Sequence, residues 1–230
     1  MCCSCRSARQ VPEAAFFGPP RAGCLNSSIE PDSPFNGGSF AYFYLETFED
    51  HALNTPGVVG APGGVTSVVF GPSIHDSVDA DDGSIDGSGL RGDDWFSGNG
   101  AAGVRFTFDA GVLGHLPTHV GLVWTDGGFG TTVTFSAFGP SGELLFSNAQ
   151  GGFADSSNNG ETGEDRFFGV INPAGVSSIL MSSPGGGIEV DHLQYGAQAL
   201  VNEVPEPGTY ALMLAGLGVL GAVARRRRPR

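Results

Sequence analysis

The sequence predicts an all-β protein: an antiparallel β-sandwich of jelly-roll type, followed by one short C-terminal transmembrane helix. Three observations predict it. Strand signals recur through residues 41–196 with almost no helical periodicity. Turn-forming Gly and Pro punctuate those signals at short intervals. A lone apolar run of 15 residues, Tyr210–Ala224, precedes four consecutive arginines.

Nine strands are expected: Ala41–Phe48, Val65–Phe70, Gly103–Asp109, Val120–Thr125, Thr131–Phe138, Glu143–Phe146, Arg166–Asn172, Val176–Met181 and Ile188–Tyr195. In Val104-Arg105-Phe106-Thr107-Phe108 apolar and polar residues alternate, and Thr132-Val133-Thr134-Phe135-Ser136 repeats the pattern, as half-buried strands require. Gly139-Pro140-Ser141-Gly142 and Asn172-Pro173-Ala174-Gly175 supply turns between them. A parallel β-helix would need a fixed-length repeat, and the chain has none. The expected organisation is a segment 1–38, disordered or a mis-started leader; a sandwich over 39–198; a linker over 199–209; a membrane segment over 210–224; and an Arg-rich cytoplasmic tail over 225–230. The head lacks the apolar core of an export signal, and holds all four cysteines, Cys2, Cys3, Cys5 and Cys24.

Charge divides the chain in the same way. The net charge is −13 and there is no Lys; of eleven Arg, five lie in the last six positions. Residues 41–202 hold 19 carboxylates against Arg91, Arg105 and Arg166. Such a surface repels a phosphate backbone, which excludes nucleic acid as a partner. The missing Lys excludes Schiff-base chemistry and a P-loop.

The end of the chain reads Pro205-Glu206-Pro207, then the apolar run, then Arg225, Arg226, Arg227 and Arg228. As a helix the run spans roughly 22 Å against a hydrocarbon core of about 30 Å, a marginal crossing. The arginines would hold the C-terminus in the cytoplasm. In these three parts and their order the tail resembles the PEP-CTERM sorting signal of Gram-negative bacteria, also labelled the C-terminal domain of ice-binding proteins. The resemblance implies recognition by an exosortase, a membrane anchor before processing, and delivery to the cell surface or an exopolysaccharide matrix. The stretch from Asp76 to Gly196, with Trp95-Phe96 and Glu164–Val170, is similar to a recurring ectodomain of PEP-CTERM proteins. Its segment Gly187–Gly196 also resembles the closing strand of jelly-roll carbohydrate-binding modules.

Two acidic groups are candidates for Ca²⁺. Asp79, Asp81, Asp82 and Asp86 lie on a Gly-rich loop, and a flexible ring of carboxylates suits a cation that takes 6–8 oxygens. Glu49 and Asp50 follow the first strand and Asp191 lies in the last; the two strands commonly adjoin in a sandwich. Trp95, beside the acidic loop, is the candidate for stacking on a sugar ring, whereas Trp124 sits in an apolar strand and is expected in the core. The histidines have no metal-ligand spacing, and the nucleophile-elbow and zinc-protease motifs are absent. The expected function is therefore non-catalytic: a carbohydrate-binding, Ca²⁺-stabilised domain. The alternatives are a secreted glycan hydrolase or lyase, which needs only two carboxylates, and a purely structural matrix protein.

Overall fold

The computed structural model describes residues 15–17, 34–35, 39–70, 92–127, 132–152, 165–199, 213–217 and 220. The chain divides into two compact units, Met1–Ala199 and Leu200–Arg230.

The first unit is a sandwich of two antiparallel sheets. In chain order its strands are β1 (Ala15–Phe17), β2 (Phe40–Glu46), β3 (Val58–Ala61), β4 (Gly64–Val65), β5 (Trp95–Ser97), β6 (Val104–Phe108), β7 (His119–Gly127), β8 (Val133–Phe138), β9 (Leu144–Gln150), β10 (Arg166–Ile171), β11 (Ser178–Ser182) and β12 (Ile188–Gln198). The larger sheet runs β1-β10-β7-β12-β5-β4, with β2 also paired to β12; the smaller runs β3-β6-β11-β8-β9. The first and last of the strands expected from sequence thus adjoin, with Glu46 opposite Leu193.

Strict alternation builds the core between the sheets. Val104, Phe106 and Phe108 of β6, Phe135 of β8 and Ile179 and Met181 of β11 point inward from one side. Leu122, Trp124, Phe168 and Tyr195 meet them from the other, all fully buried. Burying a large apolar side chain stabilises by about 1.5–3 kcal/mol relative to leaving it in water, so this interior is the main source of stability. Trp124 lies in the core, as its apolar strand predicts.

Seven of the nine expected strands appear within a few residues of their expected bounds, and Glu143–Phe146 extends to Gln150. The exception is Val65–Phe70. Only Val65 is strand; Thr66–Phe70 forms a short helix, α1. Its start is fixed by Thr66, whose N–H and hydroxyl both donate to the Asp94 carbonyl at 3.0 and 2.8 Å. A second short helix, α2 (Ala110–Leu113), is capped by Asp109, whose carboxylate accepts from Gly111 N–H at 2.7 Å.

Within the segment 1–38, expected to be disordered or a mis-started leader, residues 15–17 and 34–35 are placed against the larger sheet. Ala15, Phe16 and Phe17 pair with Ile171, Val170 and Gly169 of β10, which otherwise would present an open edge. Phe35 is buried against Phe167, with ring centroids 5.6 Å apart. That aromatic layer on the outside of the larger sheet needs a glycine beneath it: a Cβ at Gly121 would lie 2.2 Å from the Phe167 ring.

In the second unit, residues 213–217 are helical and exposed. No helix among the described residues is long and apolar enough to cross a membrane; most of the expected segment 210–224 lies outside them.

Candidate functional site

The chain turns sharply after β2, and a buried carboxylate holds the turn. Glu46 accepts backbone N–H bonds from Phe48 at 3.1 Å and from Asn54 and Thr55 at 3.0 Å each. Phe48 and His51 both adopt positive φ, 63° and 68°, a conformation that non-glycine residues keep only when their surroundings fix it. The turn carries Glu49, Asp50 and His51 toward α1 and the segment before β5.

There a polar cluster forms. His51 Nδ1 is bonded to the Asp93 carboxylate. Ser67 donates from its hydroxyl to Asp93 Oδ2 at 2.7 Å and from its N–H to Oδ1 at 2.8 Å. Asp93 N–H in turn donates to Glu49 at 2.9 Å. The Asp93 hydrogen bond and charge, with smaller contributions from Glu49 and Asp50, hold His51 above its ordinary pKa. Burial pushes Asp93 upward, but the hydrogen bonds from Ser67 and His51 outweigh it and hold the carboxyl below its usual range.

Serine, histidine and aspartate here are not a catalytic relay. In a relay the hydroxyl and the carboxylate bond opposite ring nitrogens, so that a proton crosses the imidazole. Ser67 Oγ stands 3.1 Å from the same Nδ1 that Asp93 occupies. The cluster instead pins α1 and the β2 turn to β5. Sequence reading missed it because its members lie far apart: Asp93 follows His51 by 42 residues and Ser67 by 26. No local pattern marks them.

Beside this cluster lies a cleft of about 380 Å³, lined by His51, Leu53, Val59, Val65, Val68 and Trp95. Trp95 is only 7% exposed. Its indole packs edge-on to Phe106 at 5.8 Å and donates to the Pro62 carbonyl at 3.1 Å. The strand above it carries Gly60, where a Cβ would approach the indole to 2.9 Å. Trp95 is thus a floor of the core and not the open stacking surface its sequence position suggested.

The trio expected for Ca²⁺ does not converge either. Glu49 is occupied by Asp93 N–H, and Asp50 accepts from Ala52 N–H at 3.2 Å and from the Asn54 amide. Asp191 is fully buried, opposite Val123, where it accepts from His192 N–H at 2.6 Å. Adjoining strands were not enough, because Asp191 points to the outside of the larger sheet while Glu49 and Asp50 lie beyond the end of β2. Among the described residues no three His, Cys, Asp or Glu side chains are arranged to hold a metal ion. Asp79, Asp81, Asp82 and Asp86 lie outside the described residues, as do Pro205, Glu206, Pro207 and Arg225–Arg228.

Among the described residues a further group of carboxylates gathers that the sequence did not single out as a unit. Glu189 of β12 faces Asp126 of β7 and Phe96 of β5; Asp191 stands two residues along β12, and Asp94, just before β5, is hydrogen-bonded to Glu189. Burial first, then the Asp126 charge, push the Glu189 carboxyl up to about 7, against a hydrogen bond shared with Asp94. Strand pairing, invisible in a linear sequence, gathers them.

The comparisons bear mainly on the tail. Residues 203–228 match the family model of the PEP-CTERM protein-sorting motif. The chain carries a PEP-CTERM sorting signal. This PEP-CTERM motif implies an exported protein and recognition by an exosortase. No curated protein matches the chain. Among solved structures, the chain is similar to the C-terminal family 22 carbohydrate binding module of Clostridium thermocellum Xyn10B, at 12% identity and a TM-score of 0.38, over 72% of this chain and 98% of that one.

Proposed function

We propose that this is a non-catalytic surface or exopolysaccharide-matrix protein of a Gram-negative bacterium, whose sandwich follows a jelly-roll path and binds carbohydrate after an exosortase has processed the tail. The PEP-CTERM motif at 203–228 carries the reading. In the unprocessed chain, the segment 210–224 anchors it in the inner membrane. Replacing Pro205, Glu206 and Pro207 together by alanine should leave the full-length chain in that membrane; normal processing of the variant would defeat the proposal.

Support for a glycan ligand comes from the outside of the smaller sheet. Its outward positions include Thr107, Thr134, Ser147 and Ser182, with Leu180 among them, and no Asp or Glu. Its one cation, Arg105, lies over the Phe138 ring at 4.4 Å and donates to Ser178 at 2.8 Å. Hydroxyls set among apolar groups, without carboxylates, suit a polyhydroxylated chain. A second reading, a glycan hydrolase, is favoured by the Glu189 carboxyl, held protonated near neutral pH beside Asp126. A glycan screen separates the two. Retention of intact glycan supports binding, and release of shorter products would transfer the assignment to the hydrolase.

Calcium stabilisation rests on the sequence of the Asp79–Asp86 loop alone. Under it, millimolar Ca²⁺ should raise the melting temperature and EDTA reverse the gain; a flat response removes the metal from the reading.

A further inference from the structure

The edges of the two sheets are unequal. In the larger sheet β10 is paired by β1, the far edge, β4, is two residues long, and β2, which among the described residues pairs only with β12, carries a carboxylate, Glu46. In the smaller sheet, β3 has four residues bracketed by Pro56 and Pro62, a standard protection against further pairing. The other edge, β9, is neither covered nor short nor bracketed by proline, and its one irregularity is a register shift at Leu145 near its start. It is seven residues long, Leu144-Leu145-Phe146-Ser147-Asn148-Ala149-Gln150, with no charge and no proline. Leu144 is 59% exposed. Among the described residues only β8 pairs with it, and none of them covers its other row of backbone donors and acceptors.

We propose that β9 pairs antiparallel with β9 of a second copy, joining two five-stranded sheets into one of ten strands. Charge selects this occupant. Each chain carries −13, so two copies repel wherever carboxylates would face each other. A neutral strand is the place where identical acidic molecules can meet without that penalty, whereas a basic partner would be drawn to the acidic surfaces instead. A two-fold axis through the middle residue, Ser147, uses the regular stretch that follows the register shift at Leu145: Ser147 meets Ser147, and Phe146 meets Asn148. No ionisable side chain enters the seam. Because the two-fold uses the same edge of both copies, the contact is consumed at two copies and builds a closed dimer, not a fibre.

The test follows from the symmetry. Ser147→Glu or Ser147→Lys puts like charges directly opposite across the axis, which should weaken association up to about five-fold in each homodimer. Mixing the two variants one to one should restore it, because Glu then faces Lys. Sedimentation of the full chain in a non-ionic detergent, which keeps apolar tails apart, reads this out. Wild-type chain that stays monomeric to high concentration would overturn the proposal. So would a dimer that ignores both substitutions, since that places the contact elsewhere. Should either variant fold poorly, amide hydrogen exchange on the wild type decides: outward β9 amides should gain protection as concentration rises, and constant rapid exchange would refute the pairing.

Discussion

On the outside of the larger sheet, Asp126, Glu189 and Asp191 share neighbouring strand positions and Asp94 bonds to Glu189 from just before β5, next to an aromatic layer of Phe35, Phe167, Phe40 and Phe43. On the outside of the smaller sheet the corresponding positions carry hydroxyls, apolar groups such as Leu180 and Phe138, and a single arginine. Both faces arise from the same alternation, in which every second residue points away from the core. They differ in what happens to those outward residues. On the larger sheet they are covered: Phe35 and Phe167 are 4% exposed, and Asp94 and Asp191 fully buried. On the smaller sheet Val59 is 66% exposed and Thr107 open to solvent. One outer face is a second, thin core with charges embedded in it, and the other is surface. The larger sheet therefore has more to lose from substitution, and the smaller has more freedom to meet a partner.

The sharpest way to break this comparison is to substitute one outward position on each face. Gly121→Ala puts a methyl 2.2 Å from the Phe167 ring and 3.0 Å from the Phe168 carbonyl, so ring and strand must both move. Overpacking of this kind costs about 1–3 kcal/mol, and for a domain of this size each kcal/mol lowers Tm by about 2–4 °C. Thr107→Ala, at an outward position of the smaller sheet, should stay within about 0.5 kcal/mol. Thermal melts of both variants check the pair. Equal effects would show that the larger sheet is as open as the smaller one.

The alternating strands were legible because alternation is a local property. Val104–Phe108 and Val133–Phe138 declare an inner and an outer face before any partner is known. Short strands that depend on a neighbour were not legible. Val58–Ala61 has too few residues to show a period and becomes a strand by pairing with β6. Val65–Phe70 reads as a strand by composition, and the Thr66–Asp94 bonds turn it into a helix. The same limit governs the sites. The sorting motif is contiguous and could be read directly, whereas the Glu189–Asp126–Asp94 group and the His51–Asp93–Ser67 cluster exist only after strands have paired. Trp95 shows the converse error: an acidic loop beside it suggested exposure, but Gly60 and Phe106 close over the ring.

A smaller effect probes whether the charges embedded in the larger sheet are truly part of its interior. Glu189 holds its proton in the folded chain up to about pH 7, against an ordinary value of 4.5 once unfolded. Between those values the folded state binds more protons than the unfolded one, so stability falls as pH rises through the window and levels off above it. Glu189→Gln removes that proton while keeping a donor for Asp94, and should flatten the decline. The difference between wild type and variant should grow by on the order of 1 kcal/mol from pH 5 to pH 8. It is less than the full shift implies, because part of the shift comes from the neighbouring Asp126 charge, and interacting carboxylates share the relief. Melting curves at the two pH values are sufficient. Parallel pH profiles would mean that water reaches Glu189 freely, and the larger sheet would then lose the feature that most separates it from its partner across the core.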